Sequence, residues 1–357
     1  MRKYIPGFAL VSFIIFALSS VVYILARSFT EVADLINFTL SHMVRVVLSF
    51  LTYLIPFSFF ELFVILSPLI LITLIVLLVK RCPTRLSQVR ATLSVLAVLS
   101  LVFTSYIYTL GVGYHTTALA DRIGIKDSDD ISAEQLYYAA SKVADELIPL
   151  SETVKLVDGQ TRMPYTVNEL SRRLIDAYDK MNSQYGIVNN FSSRVKPVHF
   201  STVMSDLGIT GIYSFFTGEA NVNVEYPDYN LPYTAAHELA HQRGIGRENE
   251  ANFVAFLVCI SSDDEYIRYS GYLNMYEYLS SALYRADKEL YTELYSRLND
   301  TVKADMRAST AVYNKHKDSV LGKINDKIND AYLKANGTDG VVSYGYVVRL
   351  AVGYYCD

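Results

Sequence analysis

Apolar positions in this chain are gathered at its start. Residues 4–26, 59–79 and 91–114 are runs dominated by Leu, Ile, Val and Phe. Each is long enough to cross the hydrocarbon core of a bilayer, which takes about 20 helical residues. No comparable run follows Tyr114. Residues 32–55 are apolar at many positions but carry His42 and Arg45, with Pro56 just beyond. A crossing there would leave the chain only a few residues in which to turn before Phe59. The stretch therefore predicts an amphipathic helix that lies on the outer membrane face or covers the spans, with His42 and Arg45 at the interface. Residues 1–114 read as an anchor of three transmembrane helices plus that interfacial helix, and residues 115–357 as a separate domain.

In the second part the periodicity becomes that of amphipathic helices with a few short strands. Ser132-Ala133-Glu134-Gln135 and Thr166-Val167-Asn168-Glu169 have capping-box form. They predict helices over 132–148, ended by Pro149, and over 166–185. Asp158-Gly159-Gln160 is a turn between them. Residues 197–204 and 212–225 are rich in β-branched and aromatic residues and predict short strands. A loop over 227–232 precedes a helix from Thr234, and another helix runs from about Arg247 through Cys259. Residues 270–330 are helical in period with a break at Asn299-Asp300, and a last apolar helix covers 344–354. The fold class is α+β: transmembrane helices, then a mainly helical domain with a small sheet.

Charge orients the anchor. Arg2 and Lys3 precede the first span, and Lys80, Arg81, Arg85 and Arg90 crowd the link between the second and third. With both clusters in the cytoplasm the path is in, out, in, out, and the second domain lies outside the cytoplasmic membrane. A net charge of −4 leaves no electrostatic footprint for nucleic acid. Cys259 and Cys356 would share the outer compartment, where a disulfide is permitted but not implied.

The chemistry is carried by His237-Glu238-Leu239-Ala240-His241. Residues four apart share a helix face, so both imidazoles can reach one Zn²⁺, with Glu238 beside them to act on water. Gly244 and Gly246 can reverse the chain, and the next helix opens with Arg247-Glu248-Asn249-Glu250-Ala251-Asn252. Glu248 and Glu250 compete to be the third ligand. They point about 200° apart around a helix, so only one can face the metal. Glu248 is favoured because it lies three before the small Ala251 and shares a face with Asn252, which could orient a ligand histidine. Tyr213, Tyr226, Tyr229, Tyr233 and His199 are candidates for stabilising an oxyanion. Thr217–Asn223 alternates polar and apolar residues, which suits an edge strand pairing with an extended peptide through Glu219 and Asn221.

Glu248-x-x-Ala251-Asn252 after the HELAH motif resembles the second motif of gluzincin peptidases, including the ImmA/IrrE type, whose Glu is the third zinc ligand. Only six residues lie between His241 and Glu248, fewer than in most gluzincins. Arg247 stands where a metzincin would carry its third histidine. Over nearly its whole length the chain resembles the bacterial membrane family catalogued as domain of unknown function 3810. Ile55-Pro56-Phe57-Ser58, Phe216–Asn221, His237–Gln242, Glu250–Phe253, Arg268–Tyr272 and Tyr332–Asn336 carry that likeness. The resemblance implies a zincin-like metallopeptidase holding one zinc ion, anchored in a bilayer and acting on a peptide or protein, with cell-wall peptides open to the same chemistry. The alternative is a non-catalytic metal-binding sensor or scaffold of the cell envelope.

Overall fold

The structure, a computed structural model, describes residues 5–82 and 84–356. Arg2 and Lys3 lie outside the described residues. Helix α1 spans Gly7–Ser28. After Phe29, α2 (Thr30–Ile36), a π-helical turn (Asn37–Ser41) and α3 (His42–Tyr53) follow without interruption. Ser58 caps α4 (Phe59–Arg81) through the Glu61 amide, and Thr84 caps α5 (Arg85–Thr109). Among the described residues, four helices could cross a membrane by length and composition, Thr30–Tyr53 being one more than the sequence reading counted. Three of them, α1, α4 and α5, present broadly exposed apolar side chains.

The fourth candidate is held by the second domain along its whole length. Asp34 accepts from the Thr117 amide (3.0 Å), and the Asn189 side chain donates to the Phe38 carbonyl (3.0 Å). Near the other end, Lys196 Nζ donates to the Thr52 carbonyl (2.8 Å). One stripe at helical spacing, Ala33, Asn37, Ser41, Arg45, Ser49 and Thr52, is buried. Another, including Met43, Val47, Phe50 and Leu54, is exposed. Arg45 is thus not interfacial as expected: its guanidinium donates to Asn37 Oδ1 (2.9 Å) and the Asn37 carbonyl (2.7 Å) inside the protein.

Beyond a short α6 (Leu119–Ile123), α7 (Ala133–Thr153) starts from the full Ser132–Gln135 capping box. It runs past Pro149, where the sequence predicted its end. A proline removes one backbone bond but does not stop a helix whose buried face continues, and Ser151 beyond it is buried. Strands β1 (Leu156–Val157) and β2 (Gln160–Thr161) form a hairpin, with Asp158 and Gly159 at positive φ. Helix α8 (Val167–Tyr185) follows, capped by Thr166.

The small sheet differs from its predicted bounds. Strand β3 is Val195–Val198, and Ser201–Asp206 forms α9 instead of continuing it. The His199 and Phe200 amides are taken by the Glu61 carboxylate (3.0 and 2.7 Å), so no strand can claim them. Strands β4 (Gly211–Ser214) and β5 (Glu219–Asn223) complete the order β3–β5–β4, with β3 parallel and β4 antiparallel to β5. The predicted edge strand is therefore the buried centre, and β4 is an edge.

Helix α10 (Asn230–Gln242) begins before Thr234 because Pro232 sits in its first turn, where no intrahelical amide is needed. Helix α11 (Glu248–Ile260) packs on it. The predicted break at Asn299 is real, since its side chain caps the Val302 amide, and Asp287 caps a further helix. The segment thus divides into α12 (Glu265–Ala286), α13 (Lys288–Ser296), α14 (Asp300–His316) and α15 (Val320–Ala335). A 3₁₀ turn (Gly340–Tyr346) leads to α16 (Val347–Cys356), which is packed into the core through Val347, Leu350 and Ala351.

Candidate metal centre

His237 and His241 lie one turn apart on α10, and Glu248 opens α11. His237 Nε2 is 3.0 Å from His241 Nε2, and Glu248 Oε2 is 3.2 and 3.4 Å from the two nitrogens. Two glycines make this convergence possible for different reasons. Gly244 has φ +96°, a backbone most side chains avoid. Gly246 has ordinary φ, but a Cβ there would lie 2.4 Å from the Tyr114 amide nitrogen, so it lets the turn press against residues 113–114. Glu250 turns away, accepting from the Leu119 amide (2.9 Å) and Arg247 Nη1 (2.7 Å). Of the two competing carboxylates, only Glu248 joins the histidines. Among the described residues this trio forms the group that could hold a metal ion.

The donor set fits such an ion. His241 Nδ1 lies 2.8 Å from the Ile245 carbonyl, an acceptor, so Nδ1 carries a proton and Nε2 is the nitrogen turned into the site, where its lone pair can take a second proton or a metal ion. His241 Nε2, His237 Nε2 and a carboxylate oxygen converge where only a proton or a cation can hold them together. Tetrahedral zinc with bonds of about 2.0–2.1 Å places its ligand atoms about 3.3 Å apart, close to the separations here. The electrostatics agree. Burial works against a charged His241, but Glu248 outweighs it and lifts its pKa to about 9. Burial would raise Glu248, yet the two imidazoles hold it far below the usual carboxylate range.

Glu238, next to His237 on α10, lines the same cavity. Burial pushes its pKa up to about 7, opposed by His237 and His241 and by a hydrogen bond from the Tyr213 backbone. Its approach to β4 depends on Gly211, where a Cβ would lie 2.5 Å from Glu238 Oε1.

The cavity measures about 630 Å³. Residues 208–213, including the edge strand, form one wall; Asn325, Asn329 and Tyr332 of α15 lie on another, with Tyr344 of the 3₁₀ turn. Of the expected oxyanion candidates, Tyr213 and Tyr233 line it, but the Tyr233 hydroxyl is committed to the Asn252 carbonyl (2.9 Å). Tyr226, Tyr229 and His199 are not among its lining. Tyr114, Tyr278, Tyr332 and Tyr344 are, and sequence reasoning missed them. They come from four separate elements, so no local spacing could have found them.

Three other expectations need correction. Asn252 lines the cavity, but its Nδ2 and His237 Nδ1 are both without partners, and the orienting bond at His241 comes from a backbone carbonyl instead. Glu219 is buried and makes no part of the cavity. It accepts from the Phe59 (3.0 Å) and Phe60 (2.7 Å) amides at the start of α4 and pairs with Lys196. Asn221 accepts from Ser58 Oγ (2.7 Å). Both residues fasten the anchor to the central strand, where they cannot contact a substrate.

The turn after His241 also has backing that the sequence did not suggest. Asn37 Nδ2 donates to the Gly244 carbonyl (3.1 Å), Arg45 secures Asn37, and Gln242 Nε2 donates to the Gly218 carbonyl (2.7 Å).

Residues 37–352 match the family described as "Protein of unknown function (DUF3810)". The chain belongs to that family. The matched region runs from the π-helical turn behind His241 into α16, so part of the N-terminal helical region and most of the following domain fall in one family unit. No curated protein and no solved structure gave a match.

Proposed function

We propose that this DUF3810 protein is a membrane-anchored, zinc-dependent peptidase of zincin-like architecture. The observation that carries the reading is the convergence of His237, His241 and Glu248, with a desolvated carboxylate, Glu238, beside them. Two histidines and one carboxylate with a further position open to solvent are a known catalytic zinc arrangement. Zinc, when bound, supplies a Lewis acid that makes water acidic near neutral pH and polarises a carbonyl. Glu238 takes the proton from the attacking water and delivers it to the leaving amine. The edge of β4 offers main-chain groups to an extended peptide, the role expected at first of β5. Tyr344 suits the carbonyl oxygen: burial keeps it protonated, Glu248 and Glu238 reinforce this, and its oxygen accepts from Asn329 (3.3 Å). An envelope sensor without turnover would not need a buried base beside the ligands.

The anchor supports an outer location. The C-terminal ends of α1 and α5 meet at the domain through Ala26, Tyr106 and Ile107, whereas α4 begins there. The link bearing Lys80, Arg85 and Arg90 therefore lies at the far ends of α4 and α5, as a cytoplasmic cluster would. The helix Thr30–Tyr53 is held at both ends by one domain, so we count three crossings.

The detergent-solubilised protein should contain about one zinc per chain by elemental analysis and cleave peptides from a mixed library. Glu238→Gln should keep the zinc and slow cleavage by roughly 10²–10⁴-fold. Undiminished cleavage by that variant removes the assigned base, and a zinc-free, inactive wild type removes the reading altogether.

A further inference from the structure

The rim of the metal cavity is fastened to the domain-side ends of the anchor at three places. Asn336, just past α15, accepts from Tyr23 Oη of α1 (3.4 Å) and from Tyr106 Oη of α5. The Phe215 carbonyl, at the end of the edge strand, accepts from Ser105 and Thr109 of α5 (2.9 Å each). Glu61, in the first turn of α4, holds the amides that open α9. Helix α15 is strung between these points, its Asn325 donating to the Leu207 carbonyl just after α9 (3.0 Å).

Helix α15 turns polar residues and Tyr332 to the cavity, and on its other flank exposes Val320, Ile324 and Ile328 by 71%, 51% and 63%. Those three recur every fourth residue and form one stripe. Nearby, Phe200 just before α9 and Val203 within it are exposed. The attachments above set α9 beside the start of α4 and the end of α15 beside α1 and α5, whose own apolar flanks are exposed. The contacts at the junction, Tyr23, Tyr106 and Tyr332, are the residue type that gathers at membrane–water boundaries.

We infer that α9 and α15 are seated in the surface of the same bilayer that holds the anchor, so that the cleft between α15 and β4 opens at the lipid surface and admits membrane-tethered polypeptides in preference to free ones. The seating is independent of the catalytic reading; the substrate class rests on it.

The chain has no tryptophan, so Ile324→Trp introduces a single reporter. With the full-length protein in vesicles of phosphatidylcholine and phosphatidylglycerol, brominated phospholipids should quench that residue at least threefold more than a control at Tyr138→Trp on α7. Equal quenching at both, or protection of position 324 by cross-linkable self-association, overturns the seating. In the same vesicles, quenched-fluorescent decapeptides randomised at their central positions are offered either free or fused to one transmembrane helix. The fused form should be cleaved at least tenfold faster. Ile324→Glu combined with Ile328→Glu should bring that rate down to the free-peptide rate and leave the free rate unchanged, although the enzyme remains anchored. Equal cleavage of both forms by the wild type overturns the substrate class while sparing the peptidase. Quenching at position 324 with no cleavage of either form upholds the seating and sinks the peptidase.

Discussion

Glu248 and Glu250 stand two residues apart in the first turn of α11 and have opposite surroundings. One meets two imidazoles; the other meets a backbone amide and Arg247. Their separation around the helix was readable from sequence, since successive residues turn by about 100°. Which one joins the histidines depended on how α11 docks, and the sequence supplied only a preference for Glu248 from its spacing to Ala251 and Asn252 and from the resemblance to gluzincins. The two variants should separate cleanly. Glu248→Ala should lose stoichiometric zinc while the fold persists. Glu250→Ala should retain zinc but cost about 1–3 kcal/mol of stability, because it strands the buried Leu119 amide. Zinc analysis paired with thermal unfolding distinguishes them, and loss of zinc in Glu250→Ala alone would reverse the assignment. Glu219 and Asn221 teach the converse lesson: polar residues alternating along a strand look like a binding edge until the strand proves to be central.

At the scale of elements, caps were the most legible signals. Ser132 and Thr166 each start a helix where their capping boxes predicted, and Asn299 proves to be a cap at the predicted break, because a cap is a bond between neighbours in sequence. Pro149 and Pro232 misled, since what a proline does depends on what the rest of its helix buries. The docking of α14 gives a pH prediction. Burial works to raise Glu225, but Lys315, Ser205 and His316 bring it from its ordinary 4.5 to about 2. Asp206 (2.7 Å) and then Glu225 (3.1 Å) raise His316 above its ordinary 6.5, against burial. The Glu225 contribution is complete above about pH 4.5 and fades as pH falls through about 2. That of His316 is complete below about pH 6.5 and fades as pH rises through its folded pKa. His316→Gln should therefore lower the melting temperature most between pH 4.5 and 6.5 and progressively less as pH rises through the folded pKa of the ring. A pH-independent difference would show that the ring acts by packing alone.

Across the whole molecule, the apolar N-terminal helices and the domain that follows share structure: Asn37 and Arg45 stand behind the turn that follows His241, and Glu219 of the sheet receives the start of α4. The native cysteines can test the proposed orientation. Cys82 follows α4 at the far end of the anchor, Cys356 is exposed on the domain, and Cys259 is buried. In intact cells a membrane-impermeant maleimide should label Cys356 and reach Cys82 only after permeabilisation; labelling of Cys82 first would invert the topology. The sequence by itself determined the apolar helices, the capped helix starts and the HELAH face, because each depends on side chains within a turn or two of one another. Only the tertiary structure decided the rest: which glutamate meets the histidines, that β4 and not β5 is the open edge, which tyrosines line the cavity, and that Arg45 is buried. Those are contacts between residues far apart in the chain, and they exist only once the helices and the sheet have packed.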